Sequence, residues 1–261
     1  MIYIFLPAYN EEVALPRVVE KFDRVLKKEN RPYNIVVLDD GSSDKTAETA
    51  ENLAKTYPLT LLRHPVNQGL GQTLIDGFEY LAKKSAADEL IVTLDCDDTH
   101  DPKYLPSALK KAEAGYDVVV LSRYEPGGGE EGLPWPKKIT SRGAGFFLKL
   151  FFPMKGVRDY SCGYRVYKAS ALKKAFQVFG NKFIELPHMG FVAMPEVLIK
   201  MRMLGCRITE SPFILNYGLK PGKSKNRSLR TIAGYFALVK LCWRRPLMSF
   251  PRKRESTHSS F

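Results

Sequence analysis

LIVTLDCDDTHD, residues 90–101, is an apolar run that ends abruptly in carboxylates: Asp95, Asp97, Asp98 and, past His100, Asp101. An apolar run rich in β-branched residues is what a buried parallel strand requires, and ligands of open α/β sheets sit beyond the carboxyl ends of such strands. Asp95 and Asp97, one residue apart, then stand together at the rim of the sheet. Two carboxylates that close repel each other unless a cation or shared protons compensate. Hard divalent ions such as Mg²⁺ or Mn²⁺ take oxygen ligands and bridge carboxylates to phosphates. The stretch therefore predicts a metal–phosphate site.

Outward from it, strand-like and helical runs alternate, which predicts an α/β fold: a mostly parallel sheet with helices on its faces. Strands are expected at 2–7, 33–39, 59–64, 90–95 and 117–123, with helices at 12–28, 45–57, 72–84 and 102–114. After Arg123 the character changes. Residues 126–132 read as a mobile, Gly-rich acidic loop, 136–152 as an amphipathic helix, and 168–179 and 195–204 as further helices. A strand at 207–215, a polar basic loop at 216–227, an apolar helix at 229–243 and a disordered basic tail from Arg244 complete the chain.

At 261 residues, 44% hydrophobic and 26% charged, the chain has the composition of a globular protein with a sizeable core. Its net charge of +12 favours an acidic partner such as a nucleotide or an anionic membrane surface. Cys96, Cys162, Cys206 and Cys242 show no C-x-x-C spacing, so reduced thiols in a cytosolic setting are expected. The N-terminus has no basic leader, no apolar stretch reaches the roughly 18 residues of a spanning helix, and no nucleic-acid motif is present.

Polar clusters recur after three of the strands: Pro7-Ala8-Tyr9-Asn10-Glu11-Glu12, Asp39-Asp40-Gly41-Ser42-Ser43-Asp44, and the aspartates at 95–98. Each alone fits a turn with helix-capping residues. Three at one edge of a parallel sheet fit a ligand cleft better. In this order and spacing, PAYNEE, DDGSSD, NQGLG and DCD resemble a family-2 glycosyltransferase of the GT-A nucleotide-binding fold. Asp101-Pro102-Lys103-Tyr104, Ser122-Arg123-Tyr124, Ser141-Arg142-Gly143-Ala144, Asp159-Tyr160-Ser161, Tyr164-Arg165 and Gly222-Lys223-Ser224-Lys225 extend the likeness, which runs over about 2–230. They resemble the polyprenyl-phosphate branch, whose best-known members are the dolichol-phosphate mannosyltransferases.

The resemblance implies that Pro7, Tyr9, Glu11, Leu38 and Asp40 hold the donor's base and ribose, with Cys96 beside them. It implies that Asp95 and Asp97 take Mg²⁺ or Mn²⁺, with Asp97 and Arg123 central to catalysis. Arg123 and Lys225 would neutralise donor phosphate, and Asp159, Ser161 and Arg165 would meet the acceptor. An ion pair with Asp159 is an equal alternative for Arg165. The chain departs from the family pattern at Cys96, where Ala is usual, at Thr99, where some relatives have Gln, and at Leu219-Lys220, where an Arg is common. Asp95-x-Asp97-x-Thr99 also fits a dehalogenase-type phosphatase, but three βα units precede it here, and that family carries the motif on its first strand. Gly218 to Ser224 is one residue short of a P-loop, and Gly69-x-Gly71 lacks the third Gly of a dinucleotide fingerprint.

The expected reaction is inverting transfer of a hexosyl unit, mannose or glucose, from a GDP- or UDP-linked donor to a polyprenyl phosphate. A family-2 transferase acting on a saccharide hydroxyl and a non-catalytic nucleotide-sugar binder are the alternatives. A hydroxyl acceptor needs a base, for which Glu196 or Asp159 is the candidate; a phosphate monoester, with its second pKa about 6, needs none. Lys137, Lys138, Arg142 and Lys149 interleave with Phe146, Phe147, Phe151 and Phe152, and 229–243 is flanked by arginines. Both segments fit helices in a membrane interface, or helices packed on the sheet. The expected organisation is a transferase domain at 1–227, with a donor half (1–125) and an acceptor half (126–227). An interfacial helix at 228–243 and the tail at 244–261 follow. Peripheral attachment at the cytosolic membrane face is the expected location.

Overall fold

The structure, a computed structural model, describes residues 1–219 and 228–243. Its first half follows the alternation in the sequence: β1 (Ile2–Ala8), α1 (Leu15–Lys28), β2 (Tyr33–Asp39), α2 (Thr46–Leu53), β3 (Leu59–Arg63), α3 (Leu70–Lys84) and β4 (Leu90–Thr93). A 3₁₀ turn at Pro102–Tyr104 leads into α4 (Leu105–Glu113), and β5 (Val118–Ser122) follows. Leu15, Val18, Val19, Phe22 and Leu26 show why these helices sit where they do: the spacing puts them on one buried face of α1. Each such side chain contributes about 1.5–3 kcal/mol on burial.

The second half is less regular: β6 (Gly129–Glu131), α5 (Trp135–Phe151), β7 (Arg165–Lys168), α6 (Ala169–Phe179), α7 (Ala193–Met203), β8 (Ile208–Pro212), β9 (Ile214–Asn216) and α8 (Ser228–Cys242). The main sheet has seven strands in the order β3-β2-β1-β4-β7-β5-β8. All pairings in it are parallel except those of β7, which runs antiparallel between β4 and β5. The carboxyl ends of β1, β2, β4 and β5 therefore open onto one edge.

Three sequence expectations need correction here. Residues 165–168, read partly as the start of a helix, form the inserted strand β7. The loop expected at 126–132 contains β6, which pairs with β9 in a small second sheet. The strand expected at 207–215 is divided between the two sheets as β8 and β9. Lys220 to Arg227, with Gly222-Lys223-Ser224-Lys225, and the tail from Arg244 lie outside the described residues.

Helix α5 is largely exposed, whereas α8 packs against the segment Gly190–Val192 and buries Tyr235, Leu238 and Cys242 in the core. Leu148 alone is buried in α5, while Trp135, Ile139, Phe146 and Leu150 are exposed. The two helices also meet each other: Phe147 lies 5.1 Å from Phe236, and Phe151 lies 5.5 Å from Trp243, ring centre to ring centre. Among the described residues, no helix is long and apolar enough to cross a membrane.

Candidate functional site

The loops after β1 and β2 are laced together by backbone-to-side-chain bonds. Asn10 N–H donates to Ser42 Oγ (2.9 Å), Ser43 N–H to Asn10 Oδ1 (2.9 Å), and Glu11 N–H to Thr46 Oγ1 (2.8 Å). Lys45 N–H donates to Glu12 Oε2 at 2.9 Å. Neither α1 nor α2 has a side-chain hydrogen bond from its N-cap residue, so Asn10, Glu12 and Ser42 join the two loops rather than cap a helix. Pro7, Tyr9 and Glu11 line a cleft of about 520 Å³ at the sheet's edge, together with Asp40, Asp95, Cys96 and Asp97. Leu38 lies in β2, buried beside Pro7.

Asp40 has a different task from the one the resemblance implies. Its Oδ1 accepts from Gln68 N–H (2.9 Å) and meets His64 Nδ1 (2.7 Å); its Oδ2 accepts from Asn67 Nδ2 (2.9 Å) and Gly69 N–H (2.8 Å). A carboxylate has about four lone-pair sites, and these four contacts fill them. Asp40 therefore secures the turn at 67–69, where Gly69 adopts φ +91°, open to glycine at no steric cost.

Beyond β4 the chain turns sharply through Asp98, which has φ +63° and is tied to Lys21 of α1 at 2.6 Å. This holds Asp95 and Asp97 together. With His100 they form a group whose ligand atoms lie within 4.8 Å of one another. Opposite ligands on a Mg²⁺ ion stand about 4.2 Å apart, twice its ~2.1 Å bond. The 4.8 Å limit is a little above that separation, so two carboxylates and an imidazole need only small side-chain shifts to close on a divalent ion. Thr99 donates its hydroxyl proton to Asp97 Oδ1 at 2.6 Å and so braces that carboxylate. Cys96 is buried between the aspartates.

A second, larger cleft of about 870 Å³ adjoins the first, and Asp95, Asp97 and Phe191 line both. Its walls include Ile139, Ala144 and Phe147 of α5, Met194 of α7, and Ile232, Tyr235 and Phe236 of α8. Arg123 and Ser161 face it near the aspartates. Arg123 is gripped by the buried Asp159, with Nε to Oδ2 at 2.7 Å and an NH2 to Oδ1 at 2.8 Å. Burial alone would raise the Asp159 carboxyl, but the charge and hydrogen bonds of Arg123 hold it below the usual carboxylate range. Burial alone would likewise lower Arg123, and Asp159 more than reverses that.

Arg165 does not reach either cleft. It is fully buried and donates to the carbonyls of Met194 (2.7 Å) and Tyr160 (2.8 Å), because β7 lies inside the sheet. It makes no pair with Asp159, which Arg123 occupies, so both expectations for Arg165 are corrected. Glu196 is equally unavailable as a base: it is fully buried and accepts from Lys200 Nζ at 2.6 Å and from Glu185 N–H at 2.7 Å. Lys225 lies outside the described residues. Sequence reasoning missed Arg230, which lines the smaller cleft from α8. It also treated His100 as a neighbour of the site, where the structure joins it to the aspartates.

Comparison with known proteins adds to this geometry. Residues 3–176 match the model of glycosyl transferase family 2. The chain is 30% identical over 234 residues to dolichol-phosphate mannosyltransferase of Pyrococcus furiosus, a match covering 89% of this chain and 60% of that protein. It is also 30% identical over 173 residues to polyprenol monophosphomannose synthase of Mycolicibacterium smegmatis, covering 66% and 63% respectively. The chain thus spans about three fifths of the length of these curated relatives. Among solved structures, glucosyl-3-phosphoglycerate synthase of Mycobacterium tuberculosis, in complex with Mn²⁺, UDP-glucose and phosphoglyceric acid, superimposes with a TM-score of 0.56. That match has 17% identity over 92% of this chain and 80% of that one, a likeness of fold, and the fold is GT-A. The family match runs from β1 into α6 and takes in the aspartates that both clefts share: the chain belongs to glycosyl transferase family 2.

Proposed function

We propose that this chain transfers a hexosyl unit, mannose or glucose, from a GDP- or UDP-linked sugar to a polyprenyl phosphate, with inversion, at the cytosolic face of a membrane. One observation carries the reading: a polar cleft and a largely apolar one meet at Asp95 and Asp97. Tyr9 can stack on a base and Glu11 can accept hydrogen bonds from base or ribose, which suits the smaller cleft to the nucleoside. Asp95 and Asp97 would hold Mg²⁺ or Mn²⁺, which when bound supplies electrostatic stabilisation to the leaving diphosphate. Arg230 adds positive charge on that side.

The larger cleft favours a phosphate over a hydroxyl acceptor. Among the described residues, the only carboxylates lining it are Asp95 and Asp97, and those are committed to the ion. Asp159 is held ionised by Arg123, and Glu196 is buried elsewhere. No carboxylate is left to deprotonate a hydroxyl, whereas a phosphate monoester is already largely dianionic at neutral pH. Arg123, with Ser161 beside it, is placed to meet that phosphate. The aliphatic and aromatic walls beyond suit an isoprenoid chain.

Attachment to a membrane surface follows from the same helices. Trp135, Ile139, Phe146, Leu150, Phe236 and Trp243 form exposed apolar positions on α5 and at α8, next to Lys137, Lys138 and Arg142. Such a surface suits an anionic bilayer interface. The test is a panel of GDP- and UDP-sugars with radiolabelled hexose, scoring transfer into organic-extractable lipid. Label recovered only in water-soluble saccharide overturns the lipid acceptor and favours the hydroxyl reading.

A further inference from the structure

The aspartate pair carries a third potential ligand that the sequence pattern does not single out. His100 is buried at 5% exposure, stacked on Phe213 with ring centres 5.5 Å apart and planes 18° apart, and set edge-on to Tyr164. A ring so clamped has one orientation available. Its ligand atom falls within 4.8 Å of those of Asp95 and Asp97, all three on one short loop.

The hydrogen-bond chain beside it suits a particular tautomer. Thr99 Oγ1 lies 2.6 Å from Asp97 Oδ1 and 3.2 Å from His100 Nδ1. A hydroxyl has one proton, and an ionised carboxylate only accepts, so Thr99 donates to Asp97. Thr99 can then accept from His100 in the tautomer that carries its proton on Nδ1, and in that tautomer the lone pair is on Nε2. A neutral imidazole with its other nitrogen donating to an oxygen is the form in which histidine ligates metals.

We infer that His100, oriented by Thr99, is a third protein ligand of the divalent ion, giving an O,O,N donor set in place of a carboxylate pair alone. This rests on the metal reading given above. An imidazole donor moves a site's preference away from Mg²⁺, which favours oxygen, toward Mn²⁺ and later first-row ions. The two carboxylates keep the site able to bridge a diphosphate. Thr99 thereby acquires a function as the positioning residue for both neighbours.

The test is Mn²⁺ binding to the full chain, with and without a nucleoside diphosphate, followed by titration calorimetry and by pulsed EPR on protein labelled with ¹⁵N-histidine. Wild-type protein is expected to show a histidine nitrogen coupled to Mn²⁺. His100→Asn is expected to lose that coupling and to bind Mn²⁺ about tenfold or more weakly, a loss of the size seen when a metal site's supporting contacts are removed. The EPR measurement on wild-type protein stands even if the variant fails to fold. Mn²⁺ bound without nitrogen coupling overturns the role of His100 and leaves the aspartate site intact. Failure of wild-type protein to bind Mn²⁺ at all, with or without nucleotide, overturns both.

Discussion

The two clefts that meet at Asp95 and Asp97 are built by opposite means. The smaller one is edged by loops after parallel strands, and its side chains are pinned by short hydrogen bonds such as those converging on Asp40. The larger one is walled by α5, in which Leu148 is the buried residue, and by α8, which turns Ile232 and Phe236 to the cleft while burying Leu238 and Cys242. Rigid polar loops suit a ligand of fixed shape and many hydrogen-bonding groups. Apolar helix walls suit a long hydrocarbon, whose binding is non-directional and scales with covered area. On the proposed function, the contrast assigns specificity to one cleft and affinity for a lipid chain to the other, with the chemistry at the seam.

A substitution at the seam should break both. Asp97→Asn keeps the shape of the carboxylate and the acceptor for Thr99 but removes charge, and transfer is expected to fall about a thousandfold. Labelled-sugar transfer measures this, with near-UV circular dichroism to show an unchanged fold. Retained activity would remove the reason for coupling the clefts.

Asp159→Asn acts on the larger cleft's floor. It leaves the Arg123 guanidinium, 9% exposed, with Glu130 at 3.1 Å as its remaining carboxylate partner, and should cost about 2 kcal/mol of folding stability. The pH dependence has a definite sign. The folded pKa of Asp159 lies below the unfolded carboxylate value of about 3.9, so its contribution is complete above that pH and is lost as pH falls through the folded value. Urea unfolding between pH 2 and 6 should show wild-type stability rising with pH over that acid limb. Asp159→Asn should show a flatter one.

How much of this was legible differs between the halves. Strands β1 to β4 are short, continuously apolar runs bounded by turn residues, so their pattern and their order at the sheet edge follow from the residues themselves. Strand β7 does not read that way: Arg165-Val-Tyr-Lys is four residues with a charge at each end. Only the carbonyls of Tyr160 and Met194, supplied by other segments, make a buried arginine there acceptable. Glu196 and Lys200, four apart, look like a surface pair on a helix and are instead fully buried. Asp40 sits in a motif that reads as ligand-binding, while the donors that fill it come from residues 64–69, which the sequence gives no reason to point there. In each case the missing information is which distant backbone group meets the side chain.

The division of labour between clefts is tested most finely by two changes away from the seam. Phe236 lies 62% exposed and lines the larger cleft from α8, so replacing it removes apolar lining with little cost to the core. Phe236→Ser should raise the KM for a polyprenyl phosphate roughly tenfold, about what losing a large part of one aromatic contact implies, and leave the KM for the nucleotide-sugar unchanged. Gly71, in the first turn of α3, is the counterpart. A Cβ there would collide with the backbone of Pro187, on the segment that walls the smaller cleft. Gly71→Ala gains helix propensity but must push that wall aside, since backbone cannot rotate away as a side chain can. The expected result is a few-fold rise in the nucleotide-sugar KM, with acceptor KM unmoved. Steady-state kinetics with each substrate varied in turn reads both. If either variant shifts both KM values together, the clefts are mechanically coupled, and the hydrophobic wall does more than hold a chain.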